Sequence, residues 1–122
     1  MKKILIVDDE KDLRAVLAAA LQDEGYEILE AANGEEGLKA ALENKPDLIL
    51  LDIVMPKMNG LDMLEKLRGD TWGSSANVIL LTVLEDVESV SRALQHGVKD
   101  YFVKTDRDLK DIIQRVREKV GA

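Results

Sequence analysis

The strongest constraint on the fold is a set of short, uninterrupted apolar runs, each ending abruptly at a polar residue. Ile4-Leu5-Ile6-Val7 runs into Asp8 and Asp9, Leu48-Ile49-Leu50-Leu51 into Asp52, and Val78-Ile79-Leu80-Leu81 into Thr82. Four-residue runs rich in branched side chains suit strands covered on both faces, as in a parallel sheet flanked by helices. Tyr26 to Ala31 is more mixed and reads as an edge strand, and Asp100 to Val103 as a short fifth strand with Lys104 at its end.

Helical spacing fills the intervals. Leu13, Val16, Leu17, Ala20 and Leu21 recur as one buried face, with Gly25 placed to end that helix. Leu38, Ala41 and Leu42 mark a second helix, which stops before Pro46. Leu61, Leu64 and Leu67 mark a third, Val87, Val90 and Leu94 a fourth ending near Gly97, and Leu109, Ile112, Ile113, Val116 and Val120 a fifth. Thr105 or Asp106 is placed to cap the fifth, with Asp108 completing a capping box after Thr105. Five strand–helix units predict a doubly wound α/β domain with a parallel sheet and right-handed crossovers. Residues 1–122 read as one domain, with Gly69 to Ala76 as the longest irregular loop.

Composition removes several function classes. Without cysteine there is neither a disulfide framework nor a thiolate metal site, and a single histidine, His96, limits zinc chemistry. A net charge of -7 repels a phosphate backbone, so direct nucleic-acid binding is not expected. No apolar run approaches the roughly 20 residues of a membrane span. The run after Lys2 and Lys3 stops at Asp8, too early for a signal peptide, so the cytoplasm is the expected location.

Ligands of open α/β sheets bind beyond the carboxyl ends of the strands. That edge collects Asp8, Asp9, Asp52, Thr82 and Lys104. Three carboxylates in one crevice become tolerable around a hard divalent cation, and an oxygen-only set suits Mg2+. An aspartate can attack phosphorus to give an aspartyl phosphate. The charge on the transferring group needs partners, which a cation, the Thr82 hydroxyl and the Lys104 ammonium would supply.

Each residue alone has a simpler reading. Asp8 and Asp9 suit helix caps, Asp52 a turn, Thr82 a strand end, Lys104 a solvated lysine and Tyr101 a half-buried strand residue. His96 suits a helix C-terminus, and Met55, Met58, Met63 and Trp72 suit packing. The simpler readings leave the clustering at strand ends unexplained.

Asp52-Ile53-Val54-Met55-Pro56-Lys57-Met58-Asn59-Gly60 closely resembles the acceptor motif of response-regulator receiver domains in two-component signalling. Val7-Asp8-Asp9-Glu10, Leu81-Thr82 and the stretch from Gly97 to Lys104 resemble that family in order and spacing. The resemblance implies a flavodoxin-like (βα)5 fold with strand order 2-1-3-4-5, in a stand-alone domain. It implies Asp52 as phosphoryl acceptor and a Mg2+ site of Asp9, Asp8 (through water), Asp52 and the Val54 carbonyl. It further implies phosphoryl contacts from Thr82 and Lys104, and Tyr101 as the switch aromatic. The face of the fourth helix, fifth strand and fifth helix would change its affinity for a downstream protein. A sensor histidine kinase or phosphotransferase would supply the phosphoryl group. Such a chain is a phospho-acceptor taking part in its own phosphorylation and dephosphorylation, and not an enzyme on external substrates.

The departures from the family carry expectations too. Thr105 stands where proline usually follows the lysine. A cis bond before a non-proline costs about 2.5–4 kcal/mol, so a trans bond, or else a strained cis one, is expected. Val83 replaces a smaller residue and narrows access to the acyl phosphate, so slower phosphorylation, slower hydrolysis or both are expected. Val54 and Leu84 place apolar side chains beside the acceptor, which favours a long-lived phosphorylated form. The alternatives are a degenerate receiver acting as a constitutive interaction module, a magnesium-dependent phosphohydrolase, and a nucleotide or flavin binder. The phosphohydrolase lacks a second acid/base at position 54 and a cap segment. The nucleotide binder lacks a phosphate-cradling glycine motif.

Overall fold

The computed structural model describes residues 1–53, 55, 57–82, 87–98, 100–103 and 109–121; for Thr82, Val87, Ser89, Val90 and Val103 it describes the backbone. Strands and helices alternate as the apolar runs dictate: β1 (Lys3–Val7), α1 (Lys11–Asp23), β2 (Glu27–Ala31), α2 (Gly34–Asn44), β3 (Leu48–Asp52), α3 (Gly60–Arg68), β4 (Val78–Thr82), α4 (Val87–Gln95), β5 (Asp100–Val103) and α5 (Leu109–Val120). The sheet is parallel throughout, in the order β2-β1-β3-β4-β5.

Period-two alternation in the strands divides the core in two. Leu5, Val7, Ile49, Leu51, Val78 and Leu80 point to one face and pack with Met63, Leu64, Leu67 and Ala93. Ile4, Ile6, Leu48, Leu50, Ile79, Leu81 and Phe102 point to the other and pack with Leu17, Leu21, Ile112 and Val116. Successive residues of one strand are therefore both buried, which is why the apolar runs are continuous. The runs from Ile4 to Val7 on β1 and from Leu48 to Leu51 on β3 are fully enclosed, whereas β2, at the sheet edge, carries exposed Glu27 and Glu30.

The helical faces differ in detail from their sequence reading. On α1 the buried residues are Leu17, Ala18 and Leu21, while Val16 is exposed. Gly34, Gly37 and Ala41 are the buried positions of α2, and Leu42 lies at the surface. On α4, Ala93 is buried and Leu94 exposed. On α2 and α4 a small residue takes the inward position and the leucine one position on is turned outward, whereas α1 buries Leu17 and Leu21 beside Ala18. A Cβ on Gly37 would lie 2.8 Å from a Val7 methyl and 2.9 Å from the Met63 sulfur.

Helix ends follow their sequence signals. Gly25 and Gly97 adopt positive φ after α1 and α4. The loop from Gly69 to Ala76 contains a 3-10 turn at Gly73–Ser75. Arg68 holds this loop, donating from Nη1 to the Gly73 and Ala76 carbonyls, both at 2.7 Å, and from Nε to the His96 carbonyl at 2.6 Å. Trp72 packs against the core, and Met55 and Met63 are buried within it, as packing residues. Among the described residues no helix is long and apolar enough to cross a membrane.

Candidate metal and phosphoryl site

Parallel register brings the strand ends level. Val7 pairs with Leu51, Asp52 with Leu81, and Thr82 with Val103. Asp8 follows β1 directly and Asp52 is the last residue of β3, so adjacent strands deliver both acids to one edge. Asp8 and Asp52 are buried, with 0% and 3% of their surface exposed, and Asp9 is exposed. One carboxylate oxygen from each of the three lies within 4.8 Å of the others. Buried like charges at such separation repel strongly. An oxygen-only set with one open side fits a hard divalent cation, whose charge would offset that repulsion.

The turn after β1 is built to present these acids. The Asp8 amide donates to the Ala31 carbonyl at 3.1 Å, and the Glu10 amide donates to Asp8 Oδ1 at 2.9 Å. Glu10 is the cap residue of α1 and makes no side-chain capping bond. Neither Asp8 nor Asp9 caps α1, so the simpler reading of this pair does not hold. Arg14 reaches back from the first turn of α1 and donates from Nη1 to the Asp8 carbonyl at 2.7 Å.

The segment after β3 is held just as closely. The Gly60 amide donates to the Ile53 carbonyl at 2.8 Å, and Asn59 Oδ1 caps α3 by accepting from the Asp62 amide at 2.9 Å. The Gly34 amide donates to the Met58 carbonyl at 2.9 Å, and a Cβ on Gly34 would overlap that oxygen. Lys57 takes a positive φ of 64°. Asn33 is buried, caps α2 by accepting from the Glu36 amide at 3.0 Å, and donates to the Glu36 carboxylate at 2.6 Å.

Asp8, Asp9 and Asp52 are thus brought together. Thr82 ends β4 one residue beyond the level of Asp52, and its backbone is what the structure describes. Lys104, Val54, Val83, Leu84, Thr105, Asp106 and Asp108 lie outside the described residues, as does the Lys104–Thr105 bond. Tyr101 stands on β5 with 42% of its surface exposed. Gly34 and Arg14 are the residues that sequence reasoning passed over, and Gly60 entered it only as the end of the acceptor motif. Arg14 carried a signal, standing four residues after Glu10 on the helix that follows the acids. The two glycines mark close approaches between segments distant in sequence, which no local pattern encodes.

His96 follows α4, where its carbonyl accepts from Arg68 and its Nε2 lies 3.5 Å from Glu65 Oε1. Glu65 also accepts from Arg92 at 2.8 Å, and that bond holds its carboxyl below the usual range. His96 has no place among the acids.

Comparison with known proteins agrees with the fold. The sequence pattern of the response regulator receiver domain matches residues 4–117. The chain is 36% identical over 121 residues to a probable transcriptional regulator, ycf27, of Porphyridium aerugineum, covering 98% of this chain and 49% of that protein. It is 35% identical over 119 residues to the DNA-binding response regulator MtrA of Mycobacterium tuberculosis, covering 98% and 50%. The chain therefore spans about half the length of the curated relatives it matches. Among solved structures, the chemotaxis protein CheY4 of Vibrio cholerae superposes with a TM-score of 0.90 at 28% identity, covering 98% of both chains. A CheY-like receiver domain protein of Methanospirillum hungatei gives 0.91 at 31% identity, covering 98% of this chain and 94% of its own.

Proposed function

The chain belongs to the response regulator receiver domain family, and from that premise we propose that Asp52 is its phosphoryl acceptor and residues 1–122 one receiver domain. Receiver domains are phosphorylation-dependent switches of two-component signalling, working with histidine kinases and downstream targets; they are phospho-acceptors and not classical enzymes. The observation that carries the proposal is the position of Asp52, buried at the end of β3 with a carboxylate oxygen within 4.8 Å of those of Asp8 and Asp9.

In this reading a carboxylate oxygen of Asp52 attacks phosphorus, forming a P–O bond as the bond to the donor's leaving group breaks and its electron pair departs. Asp9, Asp8 (through water), Asp52 and the Val54 carbonyl would hold Mg2+. Bound there, Mg2+ supplies positive charge to the phosphoryl oxygens and screens the acids from one another. Thr82 donates a hydrogen bond to one phosphoryl oxygen and Lys104 pairs with another. Tyr101 is the switch aromatic, and the face of α4, β5 and α5 changes its affinity for a protein partner as the phosphoryl group biases two conformations. Phosphoryl loss by attack of water on phosphorus returns the free carboxylate.

The DNA binding named for MtrA is that protein's property. An acidic surface with net charge -7 directs the output of this chain toward protein contacts.

Incubation with acetyl phosphate and Mg2+, followed by intact-mass measurement, tests the assignment. Wild type is expected to gain one phosphoryl group, and Asp52→Asn none. Equal phosphorylation of the variant, or none of the wild type, would overturn it.

A further inference from the structure

We infer that Arg14 is a positioning residue for the Asp8–Asp9 pair, fixing the peptide between them so that Asp9 is presented to the cation; this rests on the metal reading above. The Arg14 amide donates to the Glu10 carbonyl at 2.9 Å, which places the residue on the first turn of α1. Its side chain runs back over the turn and is 16% exposed. Nη1 donates to the Asp8 carbonyl at 2.7 Å, and Nε donates to Glu30 Oε1 at 3.1 Å. The accepting carbonyl belongs to the peptide that joins Asp8 to Asp9, so its direction sets where the Asp9 side chain leaves the backbone. Glu30, on the edge strand β2, anchors the other side of the guanidinium.

A guanidinium beside three acids could instead serve as a countercharge. The geometry argues otherwise: the described bonds of Arg14 go to a neutral carbonyl and to Glu30, outside the cluster. The two roles predict opposite effects. Removing a nearby positive charge strengthens cation binding. Losing an outer support that orients a ligand weakens it, typically by about 10-fold or more. Lysine separates them further, since it keeps the charge but lacks the planar fork that spans both acceptors.

The test is a Mg2+ titration of wild type, Arg14→Ala and Arg14→Lys, followed by the NMR amide shifts of Asp9 and Glu10 and by calorimetry. Both variants are expected to bind Mg2+ about 10-fold more weakly, with shifts at Asp9 and Glu10 already displaced before Mg2+ is added. Unchanged or tighter binding by Arg14→Lys overturns the inference. If thermal melting shows Arg14→Ala to be unfolded, Arg14→Lys alone decides. A wild-type protein that takes up no Mg2+ overturns the metal reading, and this inference with it. Wild-type binding matched by the variants overturns this inference alone.

Discussion

Gly60, the first residue of α3, lies against the backbone of Asp52: a Cβ there would overlap the Asp52 carbonyl oxygen and stand 2.9 Å from its carbonyl carbon. The residue that opens the helix is therefore in contact with the strand end that carries the proposed acceptor. Gly60→Ala must push the two apart, against the hydrogen bond from the Gly60 amide to Ile53. Overpacking of this kind costs about 1–3 kcal/mol. The expected result is a lower urea midpoint together with less phosphoryl uptake from acetyl phosphate; normal uptake with a normal midpoint would count against the contact.

Arg68 joins three carbonyls from two segments, the loop at Gly73 and Ala76 and the end of α4 at His96. Burial holds its guanidinium pKa below the usual arginine value. Arg68→Met keeps much of the aliphatic stem and strands these acceptors. We expect a loss of about 2–3 kcal/mol, from the penalty of unsatisfied buried polar groups. Urea unfolding monitored by Trp72 fluorescence measures it, and a loss below about 0.5 kcal/mol would show that the pin contributes little.

Asp100, the first residue of β5, accepts from Lys119 at 2.8 Å and from Arg115 at 2.6 Å. The Lys119 bond is the largest cause of a carboxyl pKa lowered from its ordinary value; burial opposes it and Arg115 adds to it. Because the folded pKa lies below the unfolded one, the stabilisation is present above the ordinary carboxylate range, near pH 4, and is lost as pH falls through the folded value. Asp100→Asn is expected to lower stability by about 1–2 kcal/mol at pH 7, with the gap closing in acid. Denaturation series across pH check this, and a gap independent of pH would contradict it.

Val54 and Leu84 are apolar neighbours, in family terms, of the proposed acceptor, and their side chains offer no hydrogen bond to orient an attacking water. Val54→Asn combined with Leu84→Glu is expected to lose its phosphoryl group faster than wild type by about 10-fold, the order of a positioned polar group's contribution. A dephosphorylation time course decides, and loss from wild type at an equal rate would remove the idea of a long-lived phosphorylated form.

Three apolar runs with their polar endings, together with two more mixed segments and the helical spacing between them, determined that this chain forms five parallel strands and that Asp8, Asp9 and Asp52 gather at one edge. Strand burial on two faces demands continuous apolar residues, and parallel connection sends every carboxyl end the same way, so both facts are written locally. Helix faces were legible only in part. Val16, Leu42 and Leu94 fit the helical period but lie at the surface, while their neighbours Leu17, Ala41 and Ala93 are buried. Which of two adjacent apolar residues turns inward depends on the approach of a partner far away in sequence. The same holds for the supports of the site. Gly34 matters through Met58, Gly60 through Asp52, and Arg14 through Asp8 and Glu30 at once. Such supports act between segments that meet only after the sheet has formed, and so only the tertiary structure decided them.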